Sequence, residues 1–436
     1  MIDLSSKKCC VLDHGFFLEL ALRLARDFGT IYYVDPSWET AQTKLDHAIT
    51  GDGYKGEIIR VKEIWDVIDE VDLCVFPDTG HAGMQLFIEQ HVGVPVWGSR
   101  RADKMEIEKL AFKKFQERVG MNFAEYDVID GLDALREYCQ DPKNDDRWIK
   151  GTPQFRGNKE TFRHVNYEES RAHLDEMSLD LGVIGSLCRY LAEKHIDSKI
   201  EGGMDTYTVD GEHPKVAVCG FERKDMGYFA AVQKYEDIPK EITCVAEFLW
   251  PELKKRRCRQ MFSTEVKVTE TGDSYLLEPT IRFPSPAGEE QMELYGNISE
   301  IIYEGAKGNL VEPEITAQYA CEAMIEHTGN KDRGRNIIVP DSVRQWIKLY
   351  GTTKIGNRLA IVPGQECIGA VVGVGNTPTE ALEHLMENAK ALKDQPVTVH
   401  TAELAEILKE IEIFEEQGMK FSDHELPDPE KVLDSD

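Results

Sequence analysis

The stretch "SYLLEPTIRFPSP" (274–286) sets a carboxylate, a hydroxyl and a guanidinium at every second residue, Glu278, Thr280 and Arg282. An extended strand would present all three on one face. On a solvated face this is an ordinary Glu–Arg pair. Over a cleft it is a carboxylate suited to a hard cation such as Mg2+, beside a fork of donors suited to phosphate. Earlier in the chain, "STEVKV" places Glu265 on the preceding strand of an expected hairpin, and two such carboxylates could hold one or two ions.

Counter-charge comes from lysines. Lys150 closes "DRWIK", a strand whose edge is otherwise apolar, so its ammonium is expected either to meet an anion or to snorkel. Lys109 lies in "KMEIEKLAFKKFQERVG" (104–120), a periodic helix in which Lys104, Lys113 and Lys114 also read as a basic solvated face. The loop "TPQFRGNKETF" (152–162) offers Arg156 and Lys159 but one glycine. Side-chain charge, rather than close backbone approach, would therefore meet a phosphate there. His14 and His81 stand at the C-terminal ends of strands, where open parallel sheets bind ligands, although a loop histidine is more often structural.

These residues need a scaffold. The first hundred residues alternate β-rich runs ("CCVLDH", "TIYYVD", "VDLCVFPD", "VPVWGS") with amphipathic helices, which predicts a small parallel sheet. The turn "DHGFF" lacks the three-glycine dinucleotide fingerprint, so NAD is not expected. The middle reads as α+β and largely antiparallel, with a helix over "VIGSLCRYLAEKH" (183–195). Beyond residue 300 a helix over "ITAQYACEAMIEHTG" (315–329) precedes a strand-rich module, in which Thr377-Pro378-Thr379-Glu380 is a capping box with proline at the first helical position.

Composition narrows the class. With 436 residues, 41% of them hydrophobic, the chain can bury several domain-sized units, and no apolar run approaches the roughly 20 residues of a membrane span. No signal peptide is evident, and ten cysteines are scattered without a C-x-x-C pair, so a cytoplasmic protein with free thiols is expected. A formal charge of -28 disfavours sequence-independent nucleic-acid binding while allowing local basic pockets. The acidic C-terminal helix and tail (401–436) read as solubility and fraying.

The order of these features resembles that of ATP-grasp enzymes, most closely the phosphoribosylamine–glycine ligase branch. Four stretches carry the resemblance: "GVPVWGSRRADKMEIEKLAFKKFQERVGM", "DRWIKG", "LLEPTIRFPSP" and "GAVVGVGNTPTEALEHLMENA". It implies an α/β and α+β fold: an N-terminal Rossmann-like domain (1–103), an ATP-grasp core (104–300) with a lid subdomain at 125–205, a small C-terminal α+β module (301–400), and the acidic tail. It further implies that Lys109, Lys113 and Lys150 contact ATP, with Arg156 and Lys159 on the phosphate lid. Lys199, Ile200 and Glu201 would form the adenine hinge and Asp205 would meet the ribose. Glu265 and Glu278 would bind Mg2+ (or Mn2+), with Thr280 where relatives carry Asn, and Arg282 would reach the transferring phosphoryl group. His14 and His81 would face the substrate.

The implied activity is ATP-dependent ligation of a small carboxylate, such as an amino acid, to an amine through an acyl phosphate, releasing ADP and phosphate; relatives are commonly homodimers. Two other readings share the apparatus: a kinase passing phosphate to a hydroxyl, and a nucleotide-binding regulator whose altered motifs no longer catalyse.

Overall fold

Five parallel strands open the chain: Lys8–Leu12 (β1), Thr30–Val34 (β2), Ile59–Arg60 (β3), Leu73–Val75 (β4) and Val96–Trp97 (β5), in the order β3-β2-β1-β4-β5. Both faces of this sheet are covered, which is why β1 and β4 are almost continuously apolar and buried. The computed structural model describes residues 2–36, 50–152, 161–198, 200–329, 335–363 and 367–433. Helix Leu18–Leu24 (α1) follows β1. The basic helix forms as Lys109–Val119 (α2), closed by Gly120 in the left-handed conformation at φ +76°. Its lysines divide: Lys109 and Lys113 are buried, whereas Lys114 is exposed.

Two antiparallel sheets follow. Strands Tyr126–Asp130 (β6), Arg147–Thr152 (β7), Thr161–His164 (β8) and Arg189–Lys194 (β9) form a small sheet in the order β6-β9-β7-β8. From β9 the chain passes directly into the large sheet, built from Ile200–Val209 (β10), Val216–Arg223 (β11), Gly227–Lys234 (β12), Arg259–Val268 (β13) and Ser274–Thr280 (β14). Tyr319–His327 (β15) pairs with β12, so the segment beyond residue 300 continues this sheet in the order β14-β13-β10-β11-β12-β15. Close packing across it fixes one glycine. The Tyr228 ring leans from β12 over β11 to donate a hydrogen bond to Asp205 on β10, and a Cβ on Gly220 would sit 1.8 Å from the Tyr228 hydroxyl. Helices Gly288–Leu294 (α3) and Pro378–Ala389 (α4) pack on this sheet, α4 capped by the Thr377 hydroxyl, which accepts from the Glu380 amide at 3.2 Å.

Three segments differ from the sequence expectation. Residues 319–327 form β15 rather than a helix, because the segment is paired on both sides and buried on both faces, and this outweighs the helical preference of Ala, Glu and Met. In 183–195, a turn of 3-10 helix (Gly182–Leu187) gives way to β9, which is central in its sheet. The C-terminal segment is not a frayed tail. Leu404–Glu416 (α5) buries Leu404, Ile407, Leu408, Ile411 and Phe414, and the Phe414 ring meets Phe221 of β11 at 4.9 Å. All ten cysteines are free thiols. Among the described residues, no helix is long and apolar enough to cross a membrane.

Candidate active site

The hairpin β13–β14 carries the acidic pair by means of a bulge. Thr264 lies opposite Pro279 and Glu265 opposite Glu278, but Val266 lies opposite Leu276, which leaves Leu277 as an extra residue. The bulge reverses the alternation. Leu276 stays in the core beside Val266, whereas Glu278, two residues on, turns to the side of Glu265. Both carboxylates open on a cavity of about 810 Å3 whose wall also holds Lys109, Lys150, Thr280 and Arg282.

Charge is distributed unevenly along that wall. Glu278, its side chain 38% exposed, lies 3.4 Å from the Lys109 ammonium. Burial would raise its pKa, but Lys109, Lys150, Lys224 and Arg282 outweigh burial and draw it down to about 2. Glu265 behaves in the opposite sense. Burial, a hydrogen bond shared with Glu201, and the charges of Glu201, Glu278 and Glu222 hold it well above the ordinary carboxylate range. Burial likewise pushes Glu222 up to about 8. A wall that retains protons beside an ionised carboxylate has more acid than the local lysines neutralise, and a divalent cation would discharge it. Among the described residues, no cluster of three or more His, Cys, Asp or Glu is arranged to hold a metal. Glu265 and Glu278 would therefore supply only part of an ion's shell, the rest falling to phosphate oxygens and water.

Two lysines converge on a residue that the sequence reading missed. Lys113 and Lys150 lie 3.2 and 3.5 Å from Glu193, on the neighbouring strand β9. Glu193 is 3% exposed; burial opposes its ionisation, but the two ammonium groups prevail and lower its pKa. Arg282 is anchored by a second missed residue, donating from Nε to Glu106 at 2.8 Å, while the other Glu106 oxygen accepts from the Ile281 amide at 2.8 Å.

No protein-family model matches the sequence, and no curated protein does. Solved structures do. Phosphoribosylamine–glycine ligase from Thermotoga maritima superposes with a TM-score of 0.65 at 16% identity, over 90% of this chain and 97% of that one. The biotin carboxylase domain of 2-oxoglutarate carboxylase from Hydrogenobacter thermophilus, solved with MgADP, ADP and bicarbonate, gives 0.61 at 14% identity, over 95% and 96%. The chain has the ATP-grasp fold. An N5-carboxyaminoimidazole ribonucleotide synthetase solved as an ADP complex also matches, at 0.56 and 16% identity, over 89% and 96%.

Within this ATP-grasp fold, the cavity takes walls from both the small sheet and the large one. Glu265, Glu278, Thr280, Arg282, Lys109, Lys150 and Glu201 are brought together on it, Glu201 paired with Lys267 at 3.2 Å. Lys113 reaches it only through Glu193. Four expected residues are not on its wall. Ile200 is fully buried in the core; Asp205 is roofed by Tyr228, its pKa raised by burial to about 6; and His14 and His81, stacked with centroids 4.9 Å apart, lie outside the cavity wall. Asp78, Thr79 and Gly80 line it instead, just before His81. Arg156, Lys159 and Lys199 lie outside the described residues. Lys194, Ile196 and Trp148 line the cavity where β9 ends and the connection to β10 begins. The signal was "AEKHI", charged residues followed by an apolar one at a strand exit, hidden because the segment reads as helix.

Proposed function

We propose that this chain is an ATP-dependent ligase that phosphorylates a small carboxylate and joins it to an amine. The observation that carries the proposal is the grouping, on one cavity wall, of a carboxylate pair, Glu265 and Glu278, with Lys109, Lys150 and Arg282. The base of ATP would enter between Trp148 and the Lys194–Ile196 connection, in place of the hinge expected at 199–201. Lys109 and Lys150 would neutralise phosphate oxygens, Glu265 and Glu278 would hold Mg2+, and Arg282, oriented by Glu106, would meet the γ-phosphoryl group as it moves to the acid. Bound Mg2+ would supply charge neutralisation at the phosphates and lower the proton affinity of Glu265.

The likeness to solved ligases is one of fold, so the chemistry rests on this wall. It is tested by measuring ADP release with Mg2+ and ATP over pairs of amino acids or short carboxylic acids and simple amines, with mass spectrometry of the products. The expected result is ADP release dependent on the acid, with an amide as product. A stable phosphorylated compound formed without any amine would assign the site to a kinase instead. ATP binding with no turnover across the panel would make it a nucleotide-binding regulator.

A further inference from the structure

An amine reaches neutral solution as an ammonium ion, which has no lone pair with which to attack an acyl phosphate. The ligase proposed above therefore needs somewhere to put a proton. Glu265 and Glu278 are committed to the charge around the phosphates, which leaves the proton to another group on the cavity wall. Such a group exists three residues past Arg282. The Ser285 hydroxyl lines the cavity and is 2.7 Å from the Tyr350 hydroxyl, which donates to Glu289 Oε1 at 2.5 Å. Tyr350 is 4% exposed and Glu289 2%, so the chain of hydroxyls runs from the cavity wall to a carboxylate sealed from solvent.

We propose that Ser285, Tyr350 and Glu289 form a proton relay that deprotonates the incoming amine, an assignment that rests on the ligase reading. The ammonium proton passes to Ser285 Oγ, the Ser285 proton to Tyr350 Oη, and the Tyr350 proton to Glu289 Oε1. The freed nitrogen pair forms the C–N bond as the C–O bond to phosphate breaks; phosphate leaves with that electron pair and takes the second nitrogen proton, so that the products are the neutral amide and hydrogen phosphate. Ser285 touches the amine; Tyr350, which also borders the cavity, passes the proton on to Glu289 behind the wall. The surroundings suit a proton acceptor. Burial raises the Glu289 carboxyl above its ordinary value against the pull of the Tyr350 and Ser285 hydroxyls and of Lys348, which is itself paired with Glu293. Glu290 is fully buried nearby, and Glu322 accepts from the Ala287 amide at 3.0 Å; burial and the Glu289 charge favour the neutral form of both.

The test compares amines of different basicity. With any acid that supports turnover, ADP release is measured with methylamine and ethylamine, which arrive charged, and with hydroxylamine and methoxylamine, which arrive neutral. Tyr350→Phe is expected to slow the strongly basic amines by about 10²-fold or more and the weakly basic ones by less than about threefold, the size of an acid–base contribution. Glu289→Gln should show the same split. Ser285→Ala, which removes only the first hydroxyl of the relay, must show it too, and it keeps the test decisive if the buried variants do not fold. An equal loss for all four amines would mean that these groups merely shape the site, and the relay would be wrong. A wild-type protein inactive with every acid and amine would overturn the ligase reading and the relay with it.

Discussion

At Glu278 the sign of the neighbouring charges decides the protonation state: four cationic side chains hold the carboxyl down to about 2 although burial works against them. A group whose folded pKa lies below its unfolded value, about 4.3, stabilises the fold above that value and loses the contribution as pH falls toward the folded one. Wild-type protein is therefore expected to lose thermal stability more steeply than Glu278→Gln as pH falls from about 4.3 to about 2, which scanning fluorimetry across that window checks. The same substitution should lower Mg2+-dependent ADP formation by about 10²-fold or more, since it removes a charge from the site where phosphate is handled. Much at this scale was legible in the sequence. Glu278, Arg282, Glu265 and Lys150 stood out because a charged type at a strand position asks for a partner. Glu193 and Glu106 did not, because their meaning lies in lysines and an arginine far away in the chain.

Strand β14 works as a counting device. One extra residue, Leu277, lets Leu276 face the core and Glu278 face Glu265, although both are even-numbered and simple alternation would put them on one side. Deleting Leu277 is expected to turn Glu278 away from Glu265 and cut ADP formation by about 10²-fold or more, whereas Leu277→Ala keeps the count and loses far less; ADP assays on folded samples of both check this. The alternation of Glu278, Thr280 and Arg282 was thus visible, but the bulge that aims it was not, because no glycine or proline marks the position. Element type failed for a related reason at β15 and β9. Their alanines, glutamates and methionine favour helix in isolation, and only strands paired on both sides make them extended. The parallel sheet at the start was readable because its β-rich runs alternate with helices.

Over the whole molecule, the large sheet draws on residues 200 to 399 and is covered by a helix, α5, that comes after all of its strands. Phe414 is fully buried against Phe221, and Phe414→Ala is expected to cost about 3–5 kcal/mol in denaturant unfolding, as an emptied core site does. The acidic composition had suggested a solvated tail; the apolar positions Leu404, Ile407, Leu408, Ile411 and Phe414 hold the segment instead. Glu410 on the same helix accepts a hydrogen bond from the Glu201 amide, so the far end of the chain is tied to a residue of the cavity wall. That tie has a consequence for biosynthesis. Strands β10 and β11 leave the ribosome long before α5 is made, and the Phe221 face waits uncovered until it arrives. A chain stalled ahead of residue 404 would display that face and be a substrate for chaperones that shield apolar surface, and it would lack the carboxylate that caps the Glu201 amide.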